Sequence, residues 1–323
     1  MTGSPTQEQK KRQGWKWLIR LVGIILLIMI LWRINYPELW KCLRQTNIPL
    51  YLLSFLLIIP IYIFKTIRWR FLLRQLHINY SFRQAFLAFF AANFVAFITP
   101  GRLGEVVKAF YVKADKQVPL ATTMPSVVFD RLFDVYFLLT VAFLGFIRFD
   151  LLDNLLSLGL IALVVILVPV ILLSRKLVMP VVEWFFRWRW LQRIKDPVVG
   201  FCSHFYDGIT AMLSFRLLVG IFYTVIAYLF LFLSAWVIVC SLGIYIDIMT
   251  VSIMIAMVNV LSFLPVTIGG FGFREAVLIF LFPLIGFSIE AAMAFSTLFF
   301  ATFYLGGGFF GWICYFVKPV KWK

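Results

Sequence analysis

Eight ionisable residues stand in or beside segments otherwise apolar enough for a bilayer: Glu105, Asp130, Asp134 and Glu275 against Arg102, Lys108, Arg131 and Arg274. At mid-bilayer each would cost a helix roughly 2.5 to 3.5 kcal/mol of insertion free energy, so their presence implies partners, water or a ligand. Three kinds of chemistry suit them. Gly101 and Gly104 flank Arg102, while Gly269, Gly270 and Gly272 precede Arg274. Exposed backbone N–H groups and a guanidinium at the start of a half-helix can converge on one anion, and a phosphate fits that description. Glu105 and Glu275 could instead carry a proton or cation, since a carboxylate at a half-helix start lies near water and is tunable. The third reading is structural: the charges neutralise one another, with Asp130, Asp134 and Lys108 as ion-pair or coupling residues and Arg131 meeting Asp134 three positions on.

Two interrupted helices must position these side chains. Pro100 and Pro265 remove a backbone donor, and the adjacent glycines relax the chain, so neither apolar run can continue unbroken. Asn93 and Asn259 stand upstream of the two breaks and are expected to hydrogen-bond the opened backbone. Broken helices at matching places in two halves of a chain point to the binding site of a transporter.

The composition agrees. Of 323 residues, 63% are hydrophobic and 14% charged, and the mean hydropathy is +0.98, which places the chain among all-α polytopic membrane proteins. The formal charge of +16 does not suggest nucleic acid, because the basic residues flank apolar spans, where they face anionic headgroups and fix orientation. Cys42, Cys202, Cys240 and Cys314 are scattered and only two histidines exist, so neither a disulfide scaffold nor a metal site or cofactor is expected. No nucleophile elbow, P-loop or H-E-x-x-H is present, and His77 near the interface and His204 in a loop read as ordinary polar residues.

Taken in order, residues 1–16 read as a cytoplasmic tail, 17–147 as a first transmembrane repeat with an inner re-entrant hairpin over 82–114, and 148–317 as a second repeat. The second repeat holds a basic, aromatic interfacial helix over 180–197 and an outer hairpin over 249–286, and 318–323 form a cytoplasmic tail. Six full spans are expected, at 17–32, 49–64, 120–146, 155–173, 217–242 and 291–317. Lys65, Arg68, Arg70 and Arg74 read as a cytoplasmic cluster ending the second span. This assignment leaves only Arg33, Lys41, Arg44 and Arg148 outside, with both termini inside. Three crossings per half insert the second copy upside down, and a hairpin or a pair of full spans would give the same sidedness.

Three motifs carry a resemblance: N-F-V-A-F-I-T-P-G-R-L-G-E from Asn93 to Glu105, S-V-V-F-D-R-L-F-D from Ser126 to Asp134, and P-V-T-I-G-G-F-G-F-R-E from Pro265 to Glu275. Over nearly its whole length the chain resembles the flippase-like family typified by the transmembrane part of lysylphosphatidylglycerol synthase. Stand-alone members of that family occur in bacterial and archaeal lipid-linked sugar and hopanoid pathways. Asp130 departs from the Glu that members often carry before the Arg, and no aminoacyltransferase domain accompanies the spans, which argues against synthesis of a lysyl-lipid. The resemblance implies a non-enzymatic translocase of a bacterial or archaeal plasma membrane, moving an amphipathic lipid between leaflets. Its expected partners are the lipid, anionic headgroups at the cytoplasmic face and a lipid-synthesis enzyme. A membrane-embedded enzyme or accessory subunit, and a lipid-binding scaffold without transport, are the alternatives.

Overall fold

The computed structural model describes residues 34–99, 102–149, 173–185, 195–262 and 272–319, with isolated positions at 29, 32, 167 and 171. The spans expected at 17–32 and 155–173 fall almost wholly outside the described residues. So do positions 186–194 of the interfacial helix, together with Pro100, Gly101, Pro265, Gly269 and Gly270.

Every regular element among the described residues is helical: α1 (Tyr36–Arg44), α2 (Ile48–Gln75), α3 (Phe82–Ile98), a 3₁₀ turn (Leu103–Val106) leading into α4 (Val107–Lys116), and α5 (Leu120–Arg148). Then follow α6 (Arg175–Phe185), α7 (Lys195–Met212), α8 (Leu217–Ser241), α9 (Ile248–Ser262), α10 (Phe273–Leu284), and α11 (Ile289–Phe300), which passes through a π-helical segment (Ala301–Gly306) into α12 (Gly307–Val317). Among the described residues three continuous helical stretches are long and apolar enough to cross a membrane: Ile48–Gln75, Leu217–Ser241 and Ile289–Val317. With 29 residues α5 has the length as well, but it carries Asp130, Arg131 and Asp134 in its first half. By contrast α3 and α9 have 17 and 15 residues, about 22–26 Å at 1.5 Å per residue. Each falls short of the ~30 Å hydrocarbon core.

Capping fixes several of the starts. Ser81 and Gln84 form a reciprocal capping box at α3, and Asn47 accepts from the Leu50 amide at the head of α2. Expected as a loop residue, His204 instead lies inside α7, where its Nδ1 is 2.7 Å from the Gly200 carbonyl. The polar sequence conceals an apolar stripe there, as Tyr206, Ile209 and Met212 are buried, and α7 packs on α5.

The pairings between helices repeat across the chain. The most extensive is α2 on α8; α2 on α3 is answered by α8 on α9, α3 on α12 by α9 on α5, α4 on α5 by α10 on α11, and α2 on α5 by α8 on α11. Exchanging the halves maps the α2–α8 pair onto itself and each of the other pairs just named onto its counterpart, with α5 answering to the continuous α11–α12 stretch. Glycine permits the closest approaches in α12, where a Cβ on Gly307 would lie 2.8 Å from the Tyr62 hydroxyl and one on Gly311 2.7 Å from the Phe90 carbonyl oxygen. At one end Lys318 pairs with Asp115, which also accepts from the Tyr80 hydroxyl, and so ties the foot of α12 to that of α4.

Candidate functional site

The first break is held open by its own side chains. Just beyond the break Arg102 has a φ of 55°, which puts a non-glycine residue in the left-handed region, a conformation that concentrates at functional sites. The Thr99 hydroxyl accepts from the Gly104 amide at 2.8 Å and bridges the two sides of the break. A Cβ on Gly104 would stand 2.5 Å from the Val95 carbonyl carbon, so only glycine lets the 3₁₀ turn lie on α3.

Below the break lies a buried network of charges. Glu105 meets Arg131 at 2.6 Å and Lys108 at 3.2 Å; Lys108 also reaches Asp130 at 2.6 Å. Arg68, fully buried, spans Asp130 and Asp134 at 2.8 Å each and donates to the Thr224 hydroxyl and the Asp130 carbonyl. Lys65 completes the chain with a 2.9 Å contact to Asp134. Burying such ions costs several kcal/mol apiece, offset only where each charge finds more than one partner, and here every carboxylate touches two cations. The Arg131–Asp134 pair expected from spacing does not form. Asp130 and Asp134, four residues apart, face Arg68 on α2, while Arg131 turns to Glu105 and also donates to the Arg102 carbonyl at 3.2 Å. Nor do Lys65 and Arg68 belong with the exposed Arg74 at the end of α2, since both serve this network.

At the second break the glycine φ of 84° at Gly272 opens α10. Glu275 accepts from the Gly272 amide at 2.8 Å, pairs with its neighbour Arg274, and accepts from the Ser296 hydroxyl at 3.0 Å. The described glycine amides are therefore taken: Gly104 by Thr99 and Gly272 by Glu275. A cradle of glycine N–H groups is not what these two positions supply, because a side chain of the same segment already accepts from each of the two amides. Likewise Asn93 donates to the Tyr62 hydroxyl at 2.8 Å and Asn259 to the Ile255 carbonyl at 2.8 Å, one turn back on its own helix, rather than to the opened chain.

The two breaks nevertheless meet, on a residue the sequence did not single out. Tyr304 lies in the π-helical segment, with the Arg102 guanidinium 5.7 Å and the Arg274 guanidinium 5.4 Å from its ring centroid. Its hydroxyl accepts from Arg102 at 3.3 Å. A π-helical turn is rare and frequent at functional sites, but it leaves no simple sequence signature. Beside Tyr304 is a cavity of about 50 Å³ lined by Lys65, Arg102, Glu105, Asp134 and Tyr228 among others, room for one or two waters at about 30 Å³ each. Arg102 and Glu105 also line a groove of about 200 Å³, together with Arg131, Val106, Val127 and Val135. The two spaces thus share Arg102 and Glu105 as a common boundary. Guanidinium groups at such a boundary have the chemistry to pair with an anion.

Comparison with known proteins places this geometry in context. The family described as Lysylphosphatidylglycerol synthase TM region matches residues 17–311. A UPF0104 membrane protein of Methanocaldococcus jannaschii is 22% identical over 292 residues, covering 86% of each chain. One from Methanothermobacter thermautotrophicus is 24% identical over 305 residues, covering 85% of each. A third, from Pyrococcus horikoshii, is 27% identical over 135 residues, covering 41% of this chain and 40% of the relative. No solved structure matches significantly.

Proposed function

Because the chain belongs to the family of the lysylphosphatidylglycerol synthase TM region, an integral membrane family tied to lipids, we propose that it translocates a phosphate-bearing lipid between leaflets and does no covalent chemistry. The observation that carries this reading is the convergence of Arg102 and Arg274, one from each break, on Tyr304 beside a charged cavity. A headgroup docks in the groove against Arg102 and Arg131, while the acyl chains stay in lipid beyond Val106, Val127 and Val135. The present cavity is too small for it, so this is a closed state. Opening moves Tyr304 aside and lets the anion reach Arg274.

The paired packing of the two halves supports a rocking motion about the α2–α8 contact, and the distribution of basic residues along the sequence favours breaks that dip from opposite faces and termini in the cytoplasm. Exchange of a fluorescent phosphate lipid in proteoliposomes tests the route. Val135→Trp, which fills the groove while leaving every charged residue of the network in the sequence, should bring exchange down to the rate of empty vesicles; unchanged exchange would rule the groove out.

A further inference from the structure

We propose, resting on the translocation reading, that the site is charge-balanced for a dianion, so that the cargo bears a phosphate monoester or diphosphate rather than a phosphodiester or zwitterionic head. Among the described residues the connected cluster contains five cations, Lys65, Arg68, Arg102, Lys108 and Arg131, and three carboxylates, Glu105, Asp130 and Asp134. Two positive charges are left over. Arg274 and Glu275 neutralise each other, and the residues at the breaks outside the described set, 100–101 and 263–271, carry no ionisable side chain.

The location of the surplus matters as much as its size. Asp130 and Asp134 each receive a cation on both oxygens, as does Glu105, so the carboxylates are saturated. Among the described residues Arg102 pairs with no carboxylate; its hydrogen-bond partner is the neutral Tyr304 hydroxyl, and its buried Nε has none. One of the two unmatched charges, Arg102, therefore sits at the boundary of groove and cavity, and the other is shared by the four cations that hold the three carboxylates, of which Arg131 also borders the groove. Uncompensated charge in a low-dielectric site is expensive, and an anion held there relieves it. A phosphate monoester carries about −1.5 to −2 at pH 7, with its second ionisation near pH 6, and so cancels the surplus; a diester leaves one charge unmatched.

Proteoliposomes supply one arm of the test, with lipids of identical tails and monoester (phosphatidic acid), diester (phosphatidylglycerol) or zwitterionic (phosphatidylcholine) heads. At about pH 7.5 the monoester should exchange at least about tenfold faster than the others, and the preference should fade below about pH 6 as the second proton binds. Arg102→Gln removes one charge and should bring the monoester-to-diester ratio near one, whereas Arg102→Lys should keep it. Equal exchange of monoester and diester by the wild type would overturn the inference while leaving translocation standing. Should no lipid exchange above the empty-vesicle rate, the translocation reading falls, and the same comparison read as thermal stabilisation in detergent decides the dianion preference by itself. Inorganic phosphate stabilising the protein as much as the monoester lipid would assign the site to a soluble ion and overturn the lipid cargo.

Discussion

Replacing Arg68 by methionine tests whether the buried charges hold the bundle together. Arg68 donates to both aspartates of α5, to the Asp130 carbonyl and to Thr224 of α8, so one side chain joins three helices. Methionine fills a similar volume but leaves Asp130 to Lys108 and Asp134 to Lys65. Breaking a buried pair by removing one partner costs about 3–5 kcal/mol. At roughly 2–4 °C per kcal/mol, the scale for domains of 150–250 residues, the melting temperature should fall by about 6–20 °C. Arg68→Lys should recover less than half of the loss, because an ammonium cannot span two carboxylates as a planar fork does. Thermal unfolding in detergent, followed by far-ultraviolet circular dichroism, measures all three proteins. Adding Asp134→Asn to Arg68→Met should reveal a coupling of about 1–3 kcal/mol. A methionine variant that melts within about 2 °C of wild type, with no coupling, would refute the claim that this network clasps the helices.

Other outcomes follow from the same geometry. Tyr304→Leu removes the ring beneath both guanidiniums and should reduce stability by about 2–4 kcal/mol, whereas Tyr304→Phe keeps the ring and should lose only about 1.5 kcal/mol; thermal unfolding separates the two. Gly104→Ala pushes a Cβ into the Val95 backbone, which cannot yield as a side chain would, and should destabilise by about 1–3 kcal/mol by the same measure. Cysteine placed at Leu103 and at Phe271, one per protein on a cysteine-free background, should react with impermeant maleimide from opposite faces of oriented vesicles. Labelling of both from one face would contradict opposed breaks.

Among the described residues the sequence displayed the long apolar helices and the ends of α3 and α9, but not α1 or α7, because the former rest on local chemistry: long apolar runs, and proline with glycine where a run must stop. It concealed the partners. Lys65 and Arg68 end a hydrophobic stretch in company with Arg70 and Arg74, which is how headgroup-facing residues look. Yet Ser54, Ile58, Ile61, Lys65, Arg68 and Leu72 continue one helical face, and two aspartates inside α5 demanded more cations than Arg131 alone could supply. The spacing of Arg131 and Asp134 permitted a pair that tertiary packing overrode, since Glu105 from another segment lies closer to hand. Glycines beside Arg102 and before Arg274 suggested free amides. Thr99 and Glu275 instead satisfy Gly104 and Gly272, a local hydrogen bond that sequence spacing leaves undetermined. Tyr304 was invisible because its importance comes from where two distant segments meet.

The central claim is that Arg102 and Arg274 serve one anion as it crosses. Its most direct measurement is the rate of leaflet exchange of a fluorescent phosphate lipid in proteoliposomes, normalised to folded protein, for wild type, Arg102→Gln and Arg274→Gln. The account predicts clear acceleration over empty vesicles by the wild type and a loss of about tenfold or more in each variant, the scale of one charge-assisted hydrogen bond. Wild-type protein that does not accelerate exchange, or variants that match it, would contradict the account.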